Sequence, residues 1–155
     1  MTTTHAFRVR ALPPEVPAAV RATGRDASGL PAHRSTAVGG EPLRCCLRDA
    51  TTGEEIMLFG YAPPIPSGPY REVGPVFAHA GPCAAPASEY PPAWRGRAQV
   101  LRAYDRRGWI HDARVHDGAD PEAVIAELLA DPAVERLHSR NVAYGCFMFT
   151  VDRLD

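Results

Sequence analysis

Most of the sixteen prolines of this 155-residue chain fall between Ala62 and Pro92. Proline supplies no N–H to a sheet ladder and turns the residue before it away from helix, so no helix and no long central strand can run through this stretch. Regular structure must therefore lie on either side of a stiff, irregular crossing. Within it, Gly74-Pro75-Val76-Phe77-Ala78-His79 leaves room for one short strand.

On the N-terminal side, residues 7–12 alternate apolar and polar as a half-buried strand does, and Pro13-Pro14 end them. A short helix fits residues 15–23. Residues 24–40 are polar, Gly-rich and without periodicity, and read as a loop. Residues 43–50 and 55–61 around Thr51-Thr52-Gly53-Glu54 read as the strongest hairpin of the chain. On the C-terminal side, residues 99–104 and 109–115 flank Asp105-Arg106-Arg107-Gly108, a second hairpin with turn chemistry in place. Asp120-Pro121-Glu122 opens a helix, with Asp as N-cap and Pro at the first helical position, and Val124, Ile125, Leu128 and Leu129 give it one apolar face. Short strands at residues 134–137 and 146–151 complete the chain. The sum predicts an α+β fold: a single globular domain over residues 1–155, with a mostly antiparallel sheet and one main helix packed on a face.

The charge balance is close to even, 17 basic against 18 acidic residues, and the basic ones are scattered, which argues against a nucleic-acid partner. Every basic residue is arginine. Without lysine the chain can form no Schiff base and has no P-loop lysine. No apolar run is long enough to cross a bilayer, and Met1-Thr2-Thr3-Thr4-His5 lacks the basic head and apolar stretch of a secretory signal, so a cytoplasmic protein is expected. Cys45, Cys46, Cys83 and Cys146 show no C-x-x-C spacing. In a strand, adjacent Cys45 and Cys46 would face opposite sides and share a metal poorly. His79, His111 and His116 are weak ligand candidates too, because a spacing of five puts His111 and His116 on opposite faces of a strand. No metal and no cofactor are expected.

The densest chemistry sits at the end of the chain. His138, Ser139, Arg140 and Asn141 are followed by Gly145-Cys146-Phe147, bringing an imidazole, a guanidinium, an amide and a thiol within nine positions. His138 and Cys146 can be base and nucleophile with Asn141 orienting the ring, or else a structural histidine and a small buried thiol. Arg44, Tyr70 and Arg140 can hold a carboxylate or an oxyanion, or be arginines paired to nearby acids.

Arg44-Cys45-Cys46-Leu47-Arg48-Asp49-Ala50 with Gly53-Glu54, then Pro69-Tyr70 leading to Gly74-Pro75-Val76-Phe77, then Arg102-Ala103-Tyr104-Asp105, and finally His138, Asn141 and Gly145-Cys146-Phe147 resemble a bacterial family known as domain of unknown function 1203. The resemblance runs from about residue 42 onward. It implies a common fold and no particular activity. Members usually carry cysteine where Leu43 stands and a second histidine where Arg140 stands. These two departures mark a divergent member, and Arg140 in place of histidine favours anion binding over proton transfer.

The expectation is a small, cofactor-independent enzyme of specialised metabolism acting on a small organic substrate. His138, Tyr70 and Cys146 would carry acid/base chemistry, and Arg44, Arg140 and Asn141 would bind substrate. A non-catalytic accessory protein that docks a partner through residues 24–40 or the Pro-rich crossing is the alternative. A thiol redox sensor through Cys45 or Cys146 is a third, and a homodimer is compatible with either.

Overall fold

The computed structural model describes residues 6–154; the N-terminal Met1-Thr2-Thr3-Thr4-His5 segment read above lies outside them. Ten strands and two α-helices follow in the order β1 (Phe7–Arg10), α1 (Glu15–Thr23), β2 (His33–Thr36), β3 (Pro42–Leu43), β4 (Arg48–Asp49), β5 (Glu55–Tyr61), β6 (Gly74–His79), β7 (Gln99–Tyr104), β8 (Ile110–His116), α2 (Pro121–Leu129), β9 (Arg136–Asn141) and β10 (Phe147–Arg153). A 3₁₀ turn, Pro92–Trp94, precedes β7. The α+β expectation holds, with two five-stranded sheets in place of one. The helices are equal, nine residues each, so neither is the main one. Neither is long and apolar enough to cross a membrane.

The first sheet runs β1-β10-β9-β7-β8, antiparallel throughout. Its core is built on Leu101, Leu137, Phe149 and Val151, with Trp94 and the Ile125 and Leu128 face of α2 against them. The Asp105 to Gly108 turn and the Asp120 cap are as read from the sequence. Asp105 Oδ1 accepts from the N–H groups of Arg107 and Trp109, and Asp120 Oδ1 accepts from that of Ala123.

The second sheet runs β2-β5-β6-β3-β4. Leu43, Ile56, Met57, Phe59, Val76 and Ala78 form its core with Val20 of α1. Here the expected hairpin of residues 43–50 and 55–61 fails. Arg44 to Leu47 fold into a tight turn, closed by the Leu47 N–H on the Leu43 carbonyl (2.9 Å) with Leu47 at φ 57°. β5 pairs with β2 and β6 instead, and β4 becomes an edge. The turn buries Leu43, Cys45 and Leu47 without extending, so an apolar alternation that suggests a strand is satisfied by a bend. Residues 24–40 hold the polar strand β2, which has no alternation to announce it. Asp26 ties this segment down, taking the Ser28 and Leu30 N–H groups on Oδ1 and that of Gly60 on Oδ2.

A bulge in β10 joins the two halves. Phe147 pairs with Arg140 and Phe149 with Ser139, so one residue, Met148, is extra on β10. Because side chains alternate along a strand, the extra residue turns Phe147 to the face opposite Phe149. Phe149 enters the first core and Phe147 the second. Arg44 reinforces the junction from the β3–β4 turn: its N–H bonds the Phe77 carbonyl (2.8 Å), its carbonyl accepts from Leu12 (3.0 Å), and its Nε donates to the Phe147 carbonyl (2.7 Å).

Candidate functional site

Where the sheets meet lies a cavity of about 410 Å³, within the range of small-molecule sites. Leu58, Pro75 and Phe77 give it an apolar wall, and Tyr144 borders it. Arg44, Arg97, Asn141 and Cys146 supply its polar groups. Three of the residues singled out in the sequence, Arg44, Asn141 and Cys146, thus share one cavity. Arg97 was not foreseen; nothing local distinguishes it from the other arginines.

Arg44 is 2% exposed. Nε serves the Phe147 carbonyl and Nη1 the Pro42 carbonyl (2.5 Å), and Nη2 makes no hydrogen bond among the described residues. Burial lowers its pKa to about 10, against the pull of Cys146 and Asp49, so the group stays cationic at neutral pH. No hydrogen bond joins Asp49 to Arg44 among the described residues. Both carboxylate oxygens are held by Arg97, at 3.1 and 2.6 Å, and Oδ1 also by the Trp94 indole at 3.0 Å. Burial pushes the Asp49 carboxyl up, but these bonds outweigh it and keep the group ionised. Asn141 accepts the Tyr144 N–H on Oδ1 (3.1 Å), and the Cys146 thiol donates to the Tyr144 carbonyl at 3.8 Å.

The remaining residues singled out lie elsewhere. His138 is fully buried in β9, between the rings of Tyr104 and Phe147 with centroids at 4.6 and 5.3 Å. Its Nε2 meets the Pro64 carbonyl at 3.3 Å and its Nδ1 has no partner among the described residues. Burial holds its pKa down to about 3, the Pro64 carbonyl opposing and Arg140, Arg136 and Arg102 adding to the depression. The ring is therefore neutral at neutral pH, and no hydrogen bond joins it to Cys146 or Tyr70 among the described residues. Tyr70 sits on the Pro-rich crossing, edge-on to Trp109 at 6.0 Å. Arg140 is held at two of its nitrogens: Nη1 donates to the Gly145 carbonyl (3.0 Å) and Nη2 to Glu72, while the buried Nε has no partner among the described residues.

A second constellation corrects the reading of the cysteines. Cys45 and Cys46 lie in the turn, not in a strand, and both point at one ring: their sulfurs are 3.5 and 3.8 Å from His79 Nδ1 at the end of β6. Cys83, four residues on, joins them. The His79 N–H donates to the Cys45 sulfur (3.3 Å). On the far side of the ring, Nε2 donates to Glu54 Oε2 (2.5 Å), and Arg48 grips both oxygens of the same carboxylate at 2.8 and 3.0 Å. Arg48 foremost, then the Thr51 N–H and hydroxyl, hold Glu54 well below the usual carboxylate range. A hydrogen bond from Cys46 depresses the Cys45 thiol against the effect of burial, while Cys46 is pushed up and burial raises Cys83 to about 12. Sequence spacing hides this group, because its members come from a turn, a strand end and the crossing.

No curated protein and no solved structure is matched by this chain. The family described as protein of unknown function DUF1203 matches residues 40–153, which include the turn, the cavity wall and the Cys/His group, and the chain belongs to that family.

Proposed function

We propose that this protein binds a small organic acid in the cavity between its sheets, with Arg44 receiving the carboxylate. The observation that carries this reading is a buried guanidinium that lines a mostly apolar cavity, with no acid bonded to it and Nη2 without a hydrogen bond among the described residues. A buried charge with no acid bonded to it is costly, and an anionic ligand would supply one. Arg97 cannot take that part while Asp49 holds it by two hydrogen bonds. The described residues are read as one folding unit, since Phe147 and Arg44 each engage both sheets.

Catalysis on the bound acid belongs to the same proposal. Cys146 is the one member of the trio His138, Tyr70 and Cys146 on the cavity wall, and Asn141 stands beside it. A purely binding or accessory role is the second reading, favoured because no base among the described residues lies within hydrogen-bond reach of the Cys146 sulfur.

Thermal unfolding measured against matched pairs of medium-length aliphatic and aromatic carboxylates and their primary amides tests the binding. The carboxylates should raise Tm in the wild type and the amides should not. Equal responses to acid and amide across the panel would overturn the assignment to Arg44. Turnover of a bound acid that is lost in Cys146→Ala, with binding kept, would choose the enzyme over the accessory protein.

A further inference from the structure

The sulfurs of Cys45, Cys46 and Cys83 and one nitrogen of His79 all lie within 4.8 Å of one another. Around a tetrahedral zinc, with Zn–S near 2.3 Å and Zn–N near 2.0–2.1 Å, neighbouring sulfur and nitrogen ligands are about 3.6 Å apart. The two sulfur to Nδ1 distances here are 3.5 and 3.8 Å. The ring is also in the right form. Glu54 can only accept, so the proton sits on Nε2 and the Nδ1 lone pair points at the sulfurs. A histidine whose far nitrogen donates to a carboxylate is the usual support of a zinc-bound imidazole, fixing its tautomer and raising its basicity.

We propose that Cys45, Cys46, His79 and Cys83 form a closed, four-ligand zinc site. Three sulfurs and one imidazole in tetrahedral reach select zinc over the hard cations, which need oxygen ligands. Four protein ligands leave no position for substrate, so the site is structural. Metal entry displaces the thiol protons, while the imidazole is already neutral at Nδ1. Three thiolates on Zn²⁺ carry a net negative charge. Arg48 stands on one side of it, Nη2 3.2 Å from His79 Nε2, and Arg21 on the other, donating to the Gly81 carbonyl two residues before Cys83. The Cys45 sulfur also keeps its backbone donor, the His79 N–H.

The metal would tie together three segments that the sheet joins weakly. β3 meets β6 at a single parallel pair, Leu43 with Phe77, and the crossing beyond Ala80 has no strand of its own. Arg44 is the residue next to Cys45, so zinc would hold the turn that sends the guanidinium into the cavity. The site stands independently of what the cavity binds.

The test uses the full chain, produced with zinc present and purified under reducing conditions. Elemental analysis should give one zinc per chain. Cobalt exchanged for zinc should show the intense visible bands and near-ultraviolet thiolate-to-metal charge transfer of a tetrahedral thiolate centre. Cys83→Ser should lose about a third of that charge transfer, one thiolate in three, whereas Cys146→Ser, outside the group, should match the wild type. Glu54→Gln keeps every ligand and should weaken zinc binding roughly 10- to 100-fold with cobalt band positions nearly unchanged. A folded wild-type protein that holds no stoichiometric metal, a cobalt spectrum indifferent to Cys83→Ser, or a disulfide within the group under those conditions would overturn the proposal.

Discussion

Arg44 and Phe147, 103 positions apart in the chain, are joined by a 2.7 Å hydrogen bond from guanidinium to carbonyl that links the two sheets. Arg44→Met removes this bond and the one to Pro42, leaving two carbonyls short of a donor, and should lower stability by about 2 kcal/mol. Arg44→Lys keeps the charge but cannot reach both carbonyls in the same fork, so it should lose similar stability while retaining some preference for carboxylates. Urea unfolding of the three proteins, read beside the carboxylate and amide panel, separates the staple from the anion site.

His138 supplies a pH dependence whose sign follows from its burial. Its folded pKa, about 3, lies below the ordinary histidine value of 6.5, so the unfolded chain binds a proton that the folded chain refuses. The stability this represents is complete above about pH 6.5 and is lost as the pH falls toward 3. Between pH 7 and pH 4, wild type should lose up to roughly 3 kcal/mol more than His138→Phe. Urea midpoints at the two pH values measure it, and parallel losses in both proteins would show that His138 is not the group responsible. His116, also depressed by burial, contributes equally to both.

Gly118 is required by its surroundings. At φ 85°, a Cβ placed there would come within 2.5 Å of the Arg97 backbone nitrogen and 2.6 Å of its carbonyl oxygen, and backbone cannot step aside as a side chain can. Gly118→Ala should cost about 2 kcal/mol or more in thermal or urea unfolding. Because Arg97 also lines the cavity, the variant should weaken carboxylate binding as well.

Tyr70→Phe should be nearly silent, within about 0.5 kcal/mol in stability, with unchanged carboxylate binding. The ring packs on Trp109 and no hydrogen bond engages its hydroxyl among the described residues. A marked loss of binding would return Tyr70 to the site.

What the sequence reveals here follows locality. Asp105 with Gly108 and Asp120 with Pro121 act within a few residues, and their turn and helix stand where the sequence places them. β9 is foreseen only over residues 134–137 and in fact runs Arg136–Asn141, because His138, Ser139 and Arg140 are polar yet buried. Their partners, such as Gln99 for the Ser139 hydroxyl, are distant in the chain. The cavity is half legible: Arg44, Asn141 and Cys146 stand out by residue type, but the pairing of Arg97 with Asp49 exists only once the 3₁₀ turn and β4 meet at Trp94. Cys45 and Cys46 mislead because the segment taken for a strand is a turn with left-handed backbone at Leu47, and their partners His79 and Cys83 lie far along the chain.

The extra residue at Met148 has a consequence for how the protein comes apart. A regular β10 would turn Phe147 and Phe149 to the same face and so to the same core. With Phe147 and Phe149 turned to opposite faces, pulling this strand away strips both cores at once. The amides of β9 and β10 should then share a single opening free energy in hydrogen exchange with those of β5 and β6, rather than reporting two separate events.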